Sequence, residues 1–375
     1  MANKRANHEG SIYKRKDNKW RAQVSIDGKR LSYTADTQRE CQTWIKEIRG
    51  QIDNGLTAKG TELTLETFLT NWLITVSASR SISTYDHYRW NIERQINPHL
   101  GHYKISDLKP DRIQRYYEYL SNQGLSNHAV HVCHKILRVA FNHAVKIGML
   151  GRNPCTGTTP PKPKQREMKF LDETQVKTLL QAARDMGERI YALFYLAIHT
   201  GLRQAELMGL KWEDVSWERR TIQIKRQVLY RRGEGFRFTK PKTVSGTRTI
   251  ILGNNALEVL REHQESLTSL KEWAKDNWVD LDLVFPSAVG TPLTGSNIRR
   301  DFRKLLESSG LPKVRFHDLR HTAASLMLNH GIPVLIASRR LGHSKASITM
   351  DIYGHLMPNK QEEAAELLDG LMATT

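Results

Sequence analysis

His317, Arg320, His343 and Tyr353 crowd into one stretch of this 375-residue chain, and Arg203 and Lys242 lie upstream of it. The set holds a phenol, two guanidiniums, two imidazoles and an ammonium. Those groups suffice to break a phosphodiester through a covalent intermediate without a metal ion or a nucleotide. Attack on phosphorus gathers negative charge on the non-bridging oxygens, which planar guanidiniums grip two at a time. Arg203 and Arg320 are the candidate clamp, and Tyr353 is the candidate nucleophile. A phenol with an ordinary pKa of about 10 costs roughly 4 kcal/mol to ionise at neutral pH, unless a neighbour takes its proton or cations stabilise the anion. His317, three residues before Arg320 on one helix face, is placed to help. The departing oxygen needs a proton, which a flexible ammonium at a β-hairpin tip, Lys242, can supply. Glu206 and Asp318 are near enough to these arginines and histidines to orient them by hydrogen bonding, as supports and not as catalysts.

The surroundings of these residues form four segments. They are Thr200-Gly201-Leu202-Arg203 with Glu206, Lys242-Thr243 with Arg248, and His317-Asp318-Leu319-Arg320-His321-Thr322. The fourth is Leu341-Gly342-His343, followed by Tyr353-Gly354-His355. In this order, over residues 200–355, they resemble the sequence boxes of the tyrosine recombinases of the phage-type integrase family. One departure stands out. Lys240-Pro241-Lys242, with Ser245-Gly246-Thr247 crowding the usual spacing, leaves Lys240 as an alternative acid.

The resemblance implies a DNA breaking-rejoining fold and site-specific recombination through a 3′-phosphotyrosyl link and a Holliday junction. It implies double-stranded DNA with core and arm attachment sites as the substrate, and a homotetramer on two such sites. A DNA-bending host factor and an excisionase are the further partners it suggests, and integration and excision of a phage or other mobile element is the purpose. One phosphodiester is exchanged for another, so no cofactor is expected. Accordingly, no Gly-rich segment ending in Gly-Lys-Ser/Thr is present. Two other classes stay open: a type IB topoisomerase-like enzyme using the same tyrosine chemistry, and a non-catalytic DNA binder of the same fold. Intact Arg203, Arg320 and Tyr353 argue against the binder, which has no need of an aligned nucleophile.

Composition agrees with a nucleic-acid partner. Fifty-seven Lys and Arg against 39 Asp and Glu leave a formal charge of +18, which suits displacement of counterions from DNA phosphates. The three cysteines, Cys41, Cys133 and Cys155, lack paired spacing and fit a reducing cytoplasm. With a polar N-terminus and no apolar run near 18 residues, neither secretion nor membrane insertion is expected.

The elements that must position the chemistry read as a multidomain chain. In residues 1–60, Trp20, Ala22, Val24 and Ile26 alternate with polar residues. Asp27-Gly28 turns the chain into Leu31 and Tyr33, and Thr37 with Glu40 caps a helix carrying Cys41, Trp44, Ile45, Ile48 and Ile52. A small three-stranded sheet plus helix resembles an arm-binding domain, with Lys14, Lys16, Arg21 and Arg30 as its DNA-facing cations. Residues 63–150 read as an all-α body of four helices, which the resemblance makes the core-binding domain. A metal site at His128, His131, Cys133 and His134 is discounted, because Cys133 leaves the face the histidines share. Residues 151–168 are Pro- and Lys-rich, with Lys162 and Lys164 as phosphate contacts. They read as a linker whose segment 158–166 spans about 25 Å if extended, letting two domains clamp a duplex from opposite sides. Residues 169–357 read as a mainly-α catalytic domain with a small antiparallel sheet of Thr221–Val228, Phe236–Thr239 and Thr247–Leu252. Arg299, Arg300 and Arg303 lie on one of its helices as phosphate contacts, and residues 358–375 form an amphipathic tail expected to dock on a neighbouring protomer.

Overall fold

The computed structural model describes residues 10–26, 29–53, 62–164, 168–231, 233–354 and 361–372. They fall into two compact units, 1–166 and 167–375.

In the first unit, β1 (Ser11–Lys14), β2 (Trp20–Ile26) and β3 (Lys29–Ala35) form an antiparallel sheet in that order. Alternation along β2 sends Ala22 and Val24 to one face, where α1 (Gln38–Asp53) covers them with Cys41 and Ile45. Thr37 Oγ1 accepts the Glu40 N–H at 3.3 Å, one half of the expected capping box. The Asp27-Gly28 turn and the Ile52 side chain lie outside the described residues.

Register corrects the expected cationic face. Lys14 pairs with Trp20, Arg21 with Tyr13 and Thr34, and Ser25 with Arg30. Directly paired residues share a side of the sheet. Arg21 and Arg30 therefore stand on the open face beside exposed Tyr13, whereas Lys14 belongs to the helix-covered face. Lys16 lies in the β1–β2 turn.

The helical body follows. Thr64 caps α2 (Leu65–Ser79), its Oγ1 accepting the Thr67 N–H at 3.3 Å. After α3 (Ile82–Asn91) the chain widens into a π turn, Ile92–Ile96. Pro98 can neither donate to residue 94 nor tolerate its carbonyl close by, and the Asn97 N–H reaches back to Ile92 instead. Next come α4 (Pro110–Asn122) and α5 (Asn127–Lys146), the latter capped by Ser126. The stripe Leu65, Phe68, Leu69, Trp72 and Val76 is buried as its spacing predicts, against Ile92, Ile96, Ile113 and Phe141. His134 Nδ1 shares a hydrogen bond with the Tyr117 hydroxyl at 2.8 Å, a core contact. Cys41, Cys133 and Cys155 are buried free thiols.

Part of the expected linker is packed onto this unit. Asn153 caps a 3₁₀ turn, Pro154–Gly157. The Thr159 N–H donates to Gln114 Oε1 at 3.0 Å, and Asn127 Nδ2 donates to the Lys162 carbonyl at 3.1 Å. Lys162 and Lys164 are exposed.

The second unit opens with α6 (Glu173–Asp185), closed by the Asp172–Gln175 capping box, and then α7 (Glu188–Thr200) and α8 (Gln204–Met208). β4 (Val215–Ser216), β5 (Thr221–Ile224) and β8 (Arg248–Ile251) form a sheet in the order β4-β5-β8. Between β5 and β8, β6 (Gln227–Arg231) and β7 (Gly235–Thr239) form a separate hairpin. The strand expected over Thr221–Val228 is thus two strands in two sheets. At the break, Lys225 and Arg226 turn to pair with the buried Asp214 carboxylate. Five helices follow: α9 (Asn254–Ala274), α10 (Gly295–Ser308), α11 (Asp318–Asn329), α12 (Val334–Leu341) and α13 (Ala346–Tyr353). The tail helix is α14 (Gln361–Met372), with Leu368 and Leu371 exposed. Residues 358–360 and the side chains of Ala364 and Leu367 lie outside the described residues.

α7 runs through the centre of this unit, with Phe194 stacked on Phe302 of α10 at 5.3 Å. Arg299, Arg300 and Arg303 are exposed on α10, Arg300 pairing with Asp301 at 3.3 Å. Among the described residues, no helix is long and apolar enough to cross a membrane.

Candidate active site

α7 ends at Gly201, whose left-handed φ of 64° turns the chain at once. A Cβ there would lie 2.4 Å from Leu341 Cδ2, so the position is tight as well as turned. Arg203 then stands at the N-cap of α8. Its backbone N–H donates to Glu206 Oε2 at 3.1 Å and its Nη1 to Glu206 Oε1 at 2.7 Å. Its Nη2 donates to the Gly342 carbonyl at 3.4 Å. Glu206 is 2% exposed. Burial pushes its pKa up, but Arg248, which donates from Nη2 at 3.1 Å, and Arg203 outweigh it and hold the carboxylate ionised. Glu206 thus holds both the backbone and the guanidinium of Arg203 by hydrogen bonds.

His317 stands at the N-cap position of α11 with no cap bond from its side chain, and Arg320 follows in the first turn. The Arg320 side chain crosses to Gly201, donating from Nη1 to its carbonyl at 2.8 Å. Its Nη2 is buried with no partner among the described residues, and the residue is 4% exposed. Burial, then the charges of Arg203 and Arg248, lower its pKa to about 9. A buried, unpaired guanidinium N–H among other cations is a seat for an oxyanion.

Asp318 does not support this group. Its carboxylate is taken by Arg315, through the backbone N–H at 2.8 Å and Nη2 at 2.7 Å. The pair is three residues apart across the start of α11, and it claims the acid before the histidine or Arg320 can. The His317 residue surface is exposed. The surrounding protein still removes enough water from its ring, with Arg320 adding repulsion, to lower its pKa and favour the neutral imidazole.

Gly342, at φ 72°, closes α12, and the His343 N–H returns to the Ser338 carbonyl at 3.1 Å. His343 Nδ1 shares a hydrogen bond with the fully buried Thr349 hydroxyl at 2.8 Å, leaving Nε2 as the nitrogen that can meet a ligand. Burial, Arg320 and Arg203 lower its pKa to about 4. Tyr353 ends α13 and is 2% exposed. Burial raises its phenol to about 12, against the pull of Arg320. Its hydroxyl is hydrogen-bonded to Nδ1 of His321, whose ring stands edge-on to His317 at 5.4 Å.

Lys242 is placed differently from expectation. β7 and β8 are not paired, so the lysine segment is the connection between two sheets, not a hairpin tip. Lys242 is exposed and precedes a 3₁₀ turn, Val244–Gly246. The Lys240 carbonyl accepts from Gln227 Nε2 at 3.2 Å. Among the described residues, neither lysine ammonium has a hydrogen-bond or ion-pair partner.

Residues 169–360 match the model described as the phage integrase family, and residues 64–121 match the phage integrase N-terminal SAM-like domain. The chain belongs to the phage integrase family. It is 33% identical to a tyrosine recombinase XerC-like protein of Caldanaerobacter subterraneus subsp. tengcongensis, over 91% of this chain and 92% of that one. It is 26% identical to the ICEBs1 integrase of Bacillus subtilis, covering 96% of this chain and all of that one. The fold matches the Tn1549 transposon integrase in complex with a circular intermediate DNA, with a TM-score of 0.68 and 19% identity over 83% of this chain and 100% of that one. It also matches a lambda integrase tetramer bound to a Holliday junction, with a TM-score of 0.54 and 20% identity over 92% of this chain and 97% of that one. The expected fold class and the expected activity, DNA strand transfer by a site-specific tyrosine recombinase, are those of the integrase family.

Within this integrase, the structure brings Arg203, Arg320, His343, Tyr353 and Glu206 into one charge-coupled cluster and leaves Lys242 on an exposed loop beside it. Sequence reasoning passed over His321 and Arg248. Both stood inside the segments quoted above, His321 one turn after His317 and next to Arg320. That signal was available, but His321's partner lies 32 residues away and Arg248's lies 42 away. His355 lies outside the described residues.

Proposed function

We propose that this integrase cuts and rejoins double-stranded DNA with Tyr353 as nucleophile and Arg203 and Arg320 as the phosphate clamp. The observation that carries the reading is the buried, partnerless Nη2 of Arg320, in the charge cluster that also holds the Tyr353 phenol. A scissile phosphate entering this cluster supplies the missing acceptor, and its charge offsets the mutual repulsion of the arginines. Neutral His343 offers Nε2 to a non-bridging oxygen. Tyr353 leaves His321 and attacks phosphorus, its proton passing to neutral, solvent-open His317. The bond from phosphorus to the 5′ oxygen breaks, and that oxygen takes a proton from Lys242, or from Lys240 two residues earlier. The product is a 3′-phosphotyrosyl link and a free 5′-hydroxyl; attack by a partner strand's 5′-hydroxyl reverses the step and restores the phenol.

The wider assignment extends the proposal along the family resemblance. Residues 1–60 bind arm sites through Arg21 and Arg30, residues 63–150 bind core sites, and residues 169–357 perform the chemistry. Lys162, Lys164, Arg299 and Arg303 are exposed cations for phosphates. Four protomers join two sites, the tail of residues 358–375 docks on a neighbour, and the cycle serves integration and excision of a mobile element in the cytoplasm. A DNA-bending protein and an excisionase set its direction. The test is trapping on a nicked suicide substrate. Tyr353→Phe abolishes the covalent adduct and retains DNA binding; an adduct that persists in this variant assigns the nucleophile to another residue.

A further inference from the structure

Arg248 is a buried guanidinium that the strand-transfer mechanism above does not use. Its side chain is 7% exposed, and each of its nitrogens is engaged in a different direction. Nη2 donates to Glu206 Oε2 at 3.1 Å, the carboxylate that holds Arg203. Nε donates to the Arg340 carbonyl at 2.8 Å, at the end of α12 just before Gly342 and His343. Nη1 donates to the Gly246 carbonyl at 2.9 Å, in the loop that carries Lys240 and Lys242. The three acceptors lie on segments 42, 92 and 2 residues from Arg248. Each segment carries a different part of the site: clamp, imidazole and ammonium.

We infer that Arg248 is a positioning residue for strand transfer, fixing the lysine loop in register with Arg203 and His343. The inference rests on the proposed role of the loop lysine as general acid. Contact at Gly342 supports it independently. A Cβ built on Gly342 would meet both Arg248 Nη1 and the Ser245 carbonyl at 2.8 Å. The loop backbone is therefore pressed against the residue that precedes His343, and Arg248 fills the space between them. The planar guanidinium reaches three separate acceptors through three nitrogens fixed in different directions, whereas the three donors of a lysine ammonium are gathered on one nitrogen and cannot span these segments. Arg203 keeps two bonds of its own to Glu206, so the clamp has a second brace that the lysine loop lacks.

The experiment separates positioning of the acid from general support of the fold. Single-turnover cleavage is measured on nicked suicide DNA carrying either the ordinary 5′ oxygen or a bridging 5′ sulfur at the scissile position. With sulfur, the phosphorus–sulfur bond breaks and a thiolate leaves. Its conjugate acid has a pKa of about 8 to 9, so it needs no proton from the enzyme. Arg248→Leu is expected to lose about 100-fold or more on the oxygen substrate and to recover to within about tenfold of wild type on sulfur. Arg248→Lys, which keeps charge and stem, gives the same ratio with a smaller loss and stands in if the leucine variant does not fold. Equal losses on both substrates would overturn the inference and leave Arg248 as scaffold. Lys242→Ala and Lys240→Ala run alongside: if neither is rescued by sulfur, the lysine reading itself fails, whatever Arg248 does.

Discussion

Replacing Arg320 by methionine is expected to stabilise the DNA-free protein while destroying its activity. Arg320 is 4% exposed, its Nη2 has no partner, and burial together with Arg203 and Arg248 lowers its pKa to about 9. An ordinary guanidinium titrates above about 12, and each pKa unit is worth about 1.36 kcal/mol, so holding this charge in place costs about 4 to 5 kcal/mol. Against that, methionine forfeits the bond to the Gly201 carbonyl, a loss of about 1 to 3 kcal/mol. Methionine has similar length and no polar atom to satisfy, so the net change is a gain of roughly 1 to 4 kcal/mol. Urea denaturation of wild type and Arg320→Met at pH 7, without DNA, measures it. Inorganic phosphate sharpens the test, because binding to the folded state raises the wild-type midpoint by more than the general salt effect that the variant also shows. A variant that is less stable than wild type by 1 kcal/mol or more would mean that Arg320 is a structural brace and not a charge held at a cost for its ligand.

Two further outcomes follow from the same cluster. His343, lowered to about 4, binds its proton later than the unfolded chain does. The stability it contributes is therefore present above about pH 6.5 and lost as pH falls through that range towards 4, amounting to about 2 kcal/mol between pH 6.5 and 5. Urea titrations at those two values should show a drop that His343→Gln reduces by that amount; an unchanged drop would contradict the assigned shift. His321 hydrogen-bonds the Tyr353 hydroxyl, yet its own pKa is lowered while that of the phenol is raised to about 12. Without DNA, transferring the proton between them is uphill by roughly 7 kcal/mol or more, so the proton stays on the phenol and the bond is a resting contact that Tyr353 must break to turn towards the phosphate. His321→Ala should therefore cleave suicide DNA at least as fast as wild type in a single turnover, and a tenfold slowing would restore His321 as proton acceptor.

What could be read from the residues alone divides along a physical line. Local patterns held: the stripe from Leu65 to Val76, the Thr37 cap of α1 and the alternation of Ala22 and Val24 each depend on neighbours a few residues away. That Arg203, Arg320, His343 and Tyr353 belong together was legible because their residue types are chemically unusual together. Partner choice was not. Asp318 lies beside His317 in sequence, but Arg315 presents a fork of donors to it and takes the carboxylate. Lys14 and Arg21 are both basic and close in the chain, but antiparallel register sets them on opposite faces. The lysine segment was read as a hairpin because β7 and β8 are adjacent in sequence. β8 instead pairs with β5, across the inserted β6–β7 hairpin, and no local signal encodes that long-range choice.

The site is closed by contacts between parts of the polymer made at very different times. Arg320 meets a carbonyl 119 residues earlier, and Arg203 meets one 139 residues later. Tyr353 is supplied last of all. During synthesis, then, a ribosome-bound chain that has already exposed its earlier helices lacks both the contact from Arg320 to Gly201 and the Tyr353 phenol, and the cluster cannot assemble until the later helices have emerged. Under the proposed mechanism, strand cutting is thereby confined to chains whose translation has passed α13.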